Sequence, residues 1–185
     1  MIVVTAYSEE WPAWFERIAG DLRAALDGLD DVAVEHVGST SVPGLAAKPV
    51  IDVDVIVAAE QVPGAIAALE SVGYAHRGDL GVAGREAFTP PDEEPRRNVY
   101  VCTAGTLNVR NHLAVREVLR EREDLRDAYA AVKLALATEP DLDIDAYIAR
   151  KSAVLQQVLA ASDLTEEERR QVWQLNDPSV TFPTT

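Results

Sequence analysis

Two aspartates stand two residues apart in the apolar run Val50-Ile51-Asp52-Val53-Asp54-Val55-Ile56-Val57. Side chains alternate along a β-strand, so Ile51, Val53, Val55 and Val57 would share one face and Val50, Asp52, Asp54 and Ile56 the other. Carboxylates are poorly suited to the interior of such a strand, and two like charges on one side need compensation. A divalent cation with oxygen ligands, Mg²⁺ or Mn²⁺, is the simplest source of it. The plainer alternative is a solvated strand end. Upstream, Gly38-Ser39 closes the apolar segment Val34-Glu35-His36-Val37. Such a pair can open a turn or short helix whose backbone N–H groups, with the Ser39 hydroxyl, hold a phosphate. Gly-Ser alone is weak, but Gly-Ser followed by Asp-x-Asp in a second strand points to phosphate chemistry at a metal.

Other residues stand near these two motifs. Lys48 is the one cation between the turn and the Asp strand; it suits a phosphate, a pairing with Asp52, or solvent. His36 precedes Gly38 by two residues, and such a histidine is more often a hydrogen-bonded structural residue than a ligand. Gly78, Gly81 and Gly84 punctuate a segment carrying Arg77 and Arg85, without forming a dinucleotide-binding GxGxxG. Arg110, His112, Arg116 and Arg120 fall on one predicted helix, with His112 and Arg116 on a shared face. They read either as a cationic wall over a triphosphate or as a solvated face paired with nearby carboxylates. Lys133 and Lys151 are further cationic candidates.

The Gly38-Ser39 and Asp52-Val53-Asp54 pattern resembles the nucleotidyltransferase superfamily typified by polymerase β. More narrowly, residues 36–49, His-Val-Gly-Ser-Thr-Ser-Val-Pro-Gly-Leu-Ala-Ala-Lys-Pro, resemble the signature of the GrpB-like family, and Tyr7, Trp11 and Phe15 match its opening pattern. The resemblance runs from about Tyr7 to Ala161. It implies an α+β (α/β) fold: a nucleotidyltransferase-like mixed β-sheet flanked by helices, with a helical C-terminal part. It implies Asp52 and Asp54 as catalytic, metal-holding residues, and Gly38, Ser39, Lys48 and Arg85 as nucleotide-binding residues. Candidates with less support are His36, Asn98, Arg97, His112 and Arg116. The function implied is Mg²⁺-dependent transfer of a nucleotidyl group from a nucleoside triphosphate to a small-molecule acceptor. The superfamily usually adds a third carboxylate on a later strand, and GrpB-like proteins generally show His where this chain has Asn98. Asparagine cannot act as a base. GrpB-like domains also occur fused to dephospho-coenzyme A kinases, so a noncatalytic nucleotide- or protein-binding module is the competing expectation.

Composition narrows the partners. The 185-residue chain is 48% hydrophobic, enough for a sizeable core, and its formal net charge is −14. That charge opposes nonspecific binding to nucleic acid or to an anionic membrane. Cys102 is the only cysteine, which excludes an intrachain disulfide. No run approaches the ~18 apolar residues of a membrane helix, and residues 1–4 lack a charged start, so a cytoplasmic location is expected. The sequence leaves the oligomeric state open.

The elements that must position these groups follow from periodicity. Residues 8–27 read as a helix capped by Ser8, with Trp11, Phe15, Ile18, Leu22 and Leu26 as its buried stripe. Residues 61–72 read as a second helix ended by Gly73. Residues 74–77, 85–88 and 96–102 have β pattern. From Thr106 the chain is helical, with breaks near Glu123-Asp124 and at Pro140, and Thr165 with Glu168 forms a capping-box pattern for a last helix to about Gln174. The expected organisation is a core over 1–105, a helical extension over 106–176, and a tail over 177–185.

Overall fold

A computed structural model describes residues 3–176; the expected tail at 177–185 lies outside the described residues. In chain order the elements are α1 (Trp11–Ala25), β1 (Ala33–Val37), a 3-10 turn (Ser39–Ser41), β2 (Ile51–Val57), α2 (Val62–Ser71), β3 (Ala75–His76), β4 (Arg85–Thr89), β5 (Arg97–Thr103), α3 (Leu107–Glu121), α4 (Glu123–Ala137), α5 (Ile144–Ala160) and α6 (Glu166–Asn176). The five strands form one mixed sheet in the order β1-β2-β5-β4-β3. β2 pairs in parallel with β5, and the other neighbours are antiparallel. The fold is α+β, as the pattern of elements leads one to expect.

Alternation along β2 decides what covers each face. Ile51, Val53, Val55 and Val57 are all buried, in one core with Trp11, Phe15, Ile18 and Leu22 of α1 and Leu69 of α2. The expected stripe of the first helix is therefore the stripe it buries. Its start differs from expectation. Helical hydrogen bonding begins at Trp11 with Glu10 at the N-cap, and Ser8 sits just outside it, where its Oγ accepts the Glu10 N–H at 3.2 Å. Pro12 falls in the first turn, where the missing N–H costs nothing. Gly73, at φ +95°, ends the second helix.

The other sheet face carries Asp52 and Asp54 and lies under the C-terminal helices. Val42 and Leu45, from the loop between β1 and β2, are buried with Val118 and Leu119 of α3, Tyr129 of α4 and Val154 and Val158 of α5. Arg122, in extended backbone, separates α3 from α4, one residue before the expected break. The capping box forms: Thr165 N–H and Oγ1 meet Glu168 Oε2 at 2.9 Å, and the Glu168 N–H returns to Thr165 Oγ1. No described helix is long and apolar enough to cross a membrane.

Candidate functional site

The polar face of the sheet is built around a stripe on α3. Asn108, His112, Arg116 and Arg120 recur every four residues, so they share a helix face. Asn108 Nδ2 reaches Cys102 Sγ of β5 at 3.3 Å. His112 Nδ1 bonds Asp54 Oδ2 of β2 at 2.7 Å. Arg116 Nη1 donates to Glu35 Oε2 and to the His36 carbonyl of β1, at 2.7 and 2.9 Å. Arg120 donates to the Ser41 carbonyl at 2.8 and 3.1 Å. The helix thus crosses three strands and the turn, placing one polar side chain on each. The pairing with nearby carboxylates expected of a plain helix face is present, at Arg110 with Glu168 of α6, His112 with Asp54, Arg116 with Glu35 and Glu117, and Arg120 with Glu117, but His112 and Arg116 make theirs against the sheet rather than in solvent.

Asp54 is fully buried and His112 is about a quarter exposed. Burial works against a charged ring, but the hydrogen bond and charge of Asp54 more than offset it, so His112 holds its proton above its ordinary pKa. The compensation that sequence reasoning assigned to a metal is supplied in part by this imidazolium. Asp54 keeps a second oxygen, Oδ1, buried close to the Cys102 thiol and without a conventional hydrogen-bond partner among the described residues.

Asp52 occupies the start of β2, level with Val37 of β1 and Asn98 of β5. Asn98 Nδ2 donates to Asp52 Oδ1 at 2.7 Å. Burial pushes the Asp52 carboxyl up, against the pull of Asn98, His112, Lys151 and Lys48. Gly38 packs directly on it: a Cβ at Gly38 would stand 2.2 Å from Asp52 Oδ2, and its φ of +70° suits glycine. The turn that follows is pinned by Ser41, whose Oγ donates to the Gly38 carbonyl at 2.6 Å. The Gly-Ser turn and the Asp strand are therefore one unit in space.

Between this unit and α3–α5 lies a cavity of about 310 Å³. Gly38, Ser39, Asp52, Asn98 and His112 line it, with Lys48, Arg85, Lys133 and Lys151. Among the described residues, four side chains that carry positive charge at their ordinary pKa thus face one lining carboxylate, in a chain of net charge −14. Aromatic rings shape their positions. Arg85 lies over Tyr100 at 4.7 Å, Lys48 and Lys151 over Tyr147 at 5.6 and 5.5 Å, and Lys133 over Tyr129 at 4.8 Å. Lys133 is 2% exposed and its Nζ has no hydrogen-bond partner among the described residues.

Three sequence candidates lie elsewhere. Arg97 turns away to Asp92 and the Tyr74 hydroxyl. Arg116 is spent on Glu35 and Glu117. His36 faces α1, as its register opposite Val53 requires. It stacks on Phe15 at 4.6 Å, bonds Thr40 Oγ1 at 3.0 Å, and is lowered to about 4 by burial, with Arg120 and Arg116 adding to the effect. Sequence reasoning missed Tyr100, Tyr129 and Tyr147. Tyr100 was findable, since it shares the alternation of Asn98 on β5; the other two read as ordinary core positions.

The donor set for a divalent cation is small. Among the described residues no group of three or more His, Cys, Asp or Glu side chains is arranged to hold a metal. What is present is the Asp52 carboxylate, which lines the cavity, and the fully buried carboxylate of Asp54 on the same strand face, which does not. That suits an ion that takes one or two carboxylates and completes its shell with substrate phosphates and water. Asn98 occupies the neighbouring-strand position level with Asp52, so no carboxylate stands there.

Comparison with known proteins gives the family and the fold. The family description GrpB protein matches residues 1–161. A UPF0157 protein of Halalkalibacterium halodurans is 35% identical over 167 residues, covering 89% of this chain and 84% of its own. A dephospho-CoA kinase of Mycolicibacterium paratuberculosis is 33% identical over 168 residues, and the match spans 77% of this chain but 41% of the kinase. Among solved structures, the conserved protein GrpB from Enterococcus faecalis superposes with a TM-score of 0.74 at 33% identity, covering 92% of this chain and 99% of that one. The Cid1 poly(U) polymerase bound to MgATP shares the fold, with a TM-score of 0.52 at 12% identity over 89% of this chain and 54% of its own. The chain belongs to the GrpB family, and it shares its fold with the Cid1 poly(U) polymerase.

Proposed function

We propose that this protein binds a nucleoside triphosphate in the cavity and transfers its nucleotidyl group to a small-molecule acceptor. The observation that carries the reading is the close packing of Gly38 on Asp52 in the lining of a cationic cavity. It joins a phosphate-holding turn to a carboxylate pair, and the cations offset a polyanion that the rest of the chain would repel. Bound ATP in the fold relative Cid1 supports the same reading. Net charge −14 favours a small acceptor over nucleic acid.

Asp52 and Asp54 would hold Mg²⁺ or Mn²⁺, which when bound supplies charge neutralisation at the reacting phosphate. Gly38 and Ser39 hold the phosphates, and Lys48 and Arg85 offset charge as it develops. The acceptor hydroxyl oxygen forms a bond to the α-phosphorus. The bridging bond to the β-phosphate breaks, and diphosphate leaves with the electron pair. The hydroxyl proton passes to solvent water, since Asn98 has no basic site to receive it. Catalysis here is positioning and electrostatics.

A specific observation favours a second reading, a noncatalytic nucleotide- or protein-binding module. Asp52 is engaged by Asn98 and Asp54 by His112, so both carboxylates already have protein partners. Incubation with each labelled triphosphate, Mg²⁺ and a metabolite mixture separates the two. Transfer of label to a small molecule is expected; triphosphate binding without transfer would favour the module. Titration calorimetry adds the metal test: binding should be tighter with Mg²⁺, and Asp54→Asn should remove most of that dependence. Equal binding by both proteins would rule out Asp54 as a metal ligand.

A further inference from the structure

The geometry points to Lys48, Lys133 and Lys151 as a phosphate-binding cluster in which Lys133 takes up a proton as the phosphate enters. The identity of that phosphate as the nucleotide's rests on the proposed function; the cluster as an anion site does not. Three separate elements deliver its members to one part of the cavity: the loop before β2, α4 and α5. Lys133 is the diagnostic member, because its buried Nζ has no hydrogen-bond partner among the described residues. The Tyr129 ring at 4.8 Å returns about 0.5–2 kcal/mol. Burying an ammonium costs several kcal/mol. The ring alone does not close that gap.

The groups facing Lys133 can be counted element by element. Tyr129 lies on its own helix, Tyr147 and Lys151 on α5, Lys48 on the loop, and Asp52 on β2. Asp52 is the one carboxylate among them in the described residues. One of its oxygens takes the Asn98 N–H, and the other lies against Gly38. A tetrahedral dianion in this part of the cavity would supply the negative charge that the lysines lack. Burial lowers Lys133 to about 7, with Lys151 and Lys48 adding to the effect. Lys48 is lowered for the same reasons, burial first and Lys151 next. Lys133 therefore gives up its proton more readily than an exposed lysine does. An anion favours the charged form, so binding draws a proton from solvent. The sign follows: affinity falls as pH rises above 7, by up to tenfold per pH unit.

Sulfate is the probe, a tetrahedral dianion that carries no proton of its own near neutral pH. Titration calorimetry at pH 7.5 in two buffers of different protonation enthalpy measures affinity and proton uptake together. A fraction of a proton should enter per sulfate. Lys133→Met should weaken sulfate at least tenfold and abolish uptake, with its melting temperature checking the fold. Lys133→Arg should keep the affinity and lose the uptake, since a guanidinium stays charged. Unchanged affinity in Lys133→Met, or uptake that persists in Lys133→Arg, overturns the proposal. Sulfate binding with uptake, but no binding of any triphosphate, would leave the cluster standing and sink the nucleotide reading. Triphosphate binding that ignores both Lys133 variants would do the reverse.

Discussion

The two faces of the sheet are held by different forces. Under α1 and α2 the contact is apolar, with Val53, Val55, Trp11 and Leu22 all 1% exposed or less. Under α3 the contact is a row of polar pairs, Asn108 to Cys102, His112 to Asp54 and Arg116 to Glu35. Apolar packing tolerates sliding and adds stability with area. A polar row fixes register, because a helix shifted by one residue would strand each group. The first face therefore supplies stability, and the second fixes where the cavity walls stand.

Breaking the apolar face should have the largest effect on folding. Leu22→Ala deletes buried methyl groups from α1 and should cost about 2–5 kcal/mol. Denaturant unfolding would read this as a lower midpoint at unchanged slope. At temperatures where the variant is folded, ligand binding at the cavity should be unaltered. Loss of binding in step with stability would mean that the two faces are not separable.

Breaking the polar face should cost less and should be coupled. Asp54→Asn leaves His112 beside a neutral amide, and His112→Asn leaves a buried carboxylate without its cation. Each should destabilise by roughly 1–3 kcal/mol, the cost of a buried group left unpaired. The double variant should cost less than the sum, and a double-mutant cycle would measure the difference. The pH dependence has a definite sign. The folded pKa of His112 is raised, so this stability is fully present below the unfolded value near 6.5 and is lost as pH rises through the folded value. A cycle showing no coupling at pH 6 would leave the row without energetic meaning.

This asymmetry also explains what the sequence disclosed. Alternation in β2 was enough to place Val53 and Asp54 on opposite faces, and helical spacing was enough to identify the buried stripe of α1. Both are local signals with a period. The Asp54–His112 pair joins residues 58 apart in the chain, and no local period announces it. His36 is the hydrogen-bonded structural residue that the sequence favoured. Nearness to Gly38 suggested function, yet strand alternation assigns it to the face of Phe15. Lys133 and Lys151 gain meaning only when α4 and α5 fold back over β2, beside the Lys48 loop.

The smallest effect expected on stability comes from Lys133, and its sign is opposite to the others. Every other buried group considered above gains a partner on folding, whereas Lys133 Nζ gains none among the described residues. Lys133→Met keeps the length and apolar stem of the side chain and removes the charge, so it should stabilise the free protein by about 0.5–2 kcal/mol. The gain must depend on pH. Folding lowers this amine from about 10.4 in the unfolded chain to about 7, so the penalty is small near pH 10 and grows as pH falls toward 7. Chemical denaturation of both proteins at pH 7 and pH 9.5 should therefore show a gap that narrows at the higher pH. A variant less stable than the parent at pH 7 would mean that the ammonium is anchored by the fold itself. The contrast between a face built for stability and a face built around a ligand would then lose its clearest example.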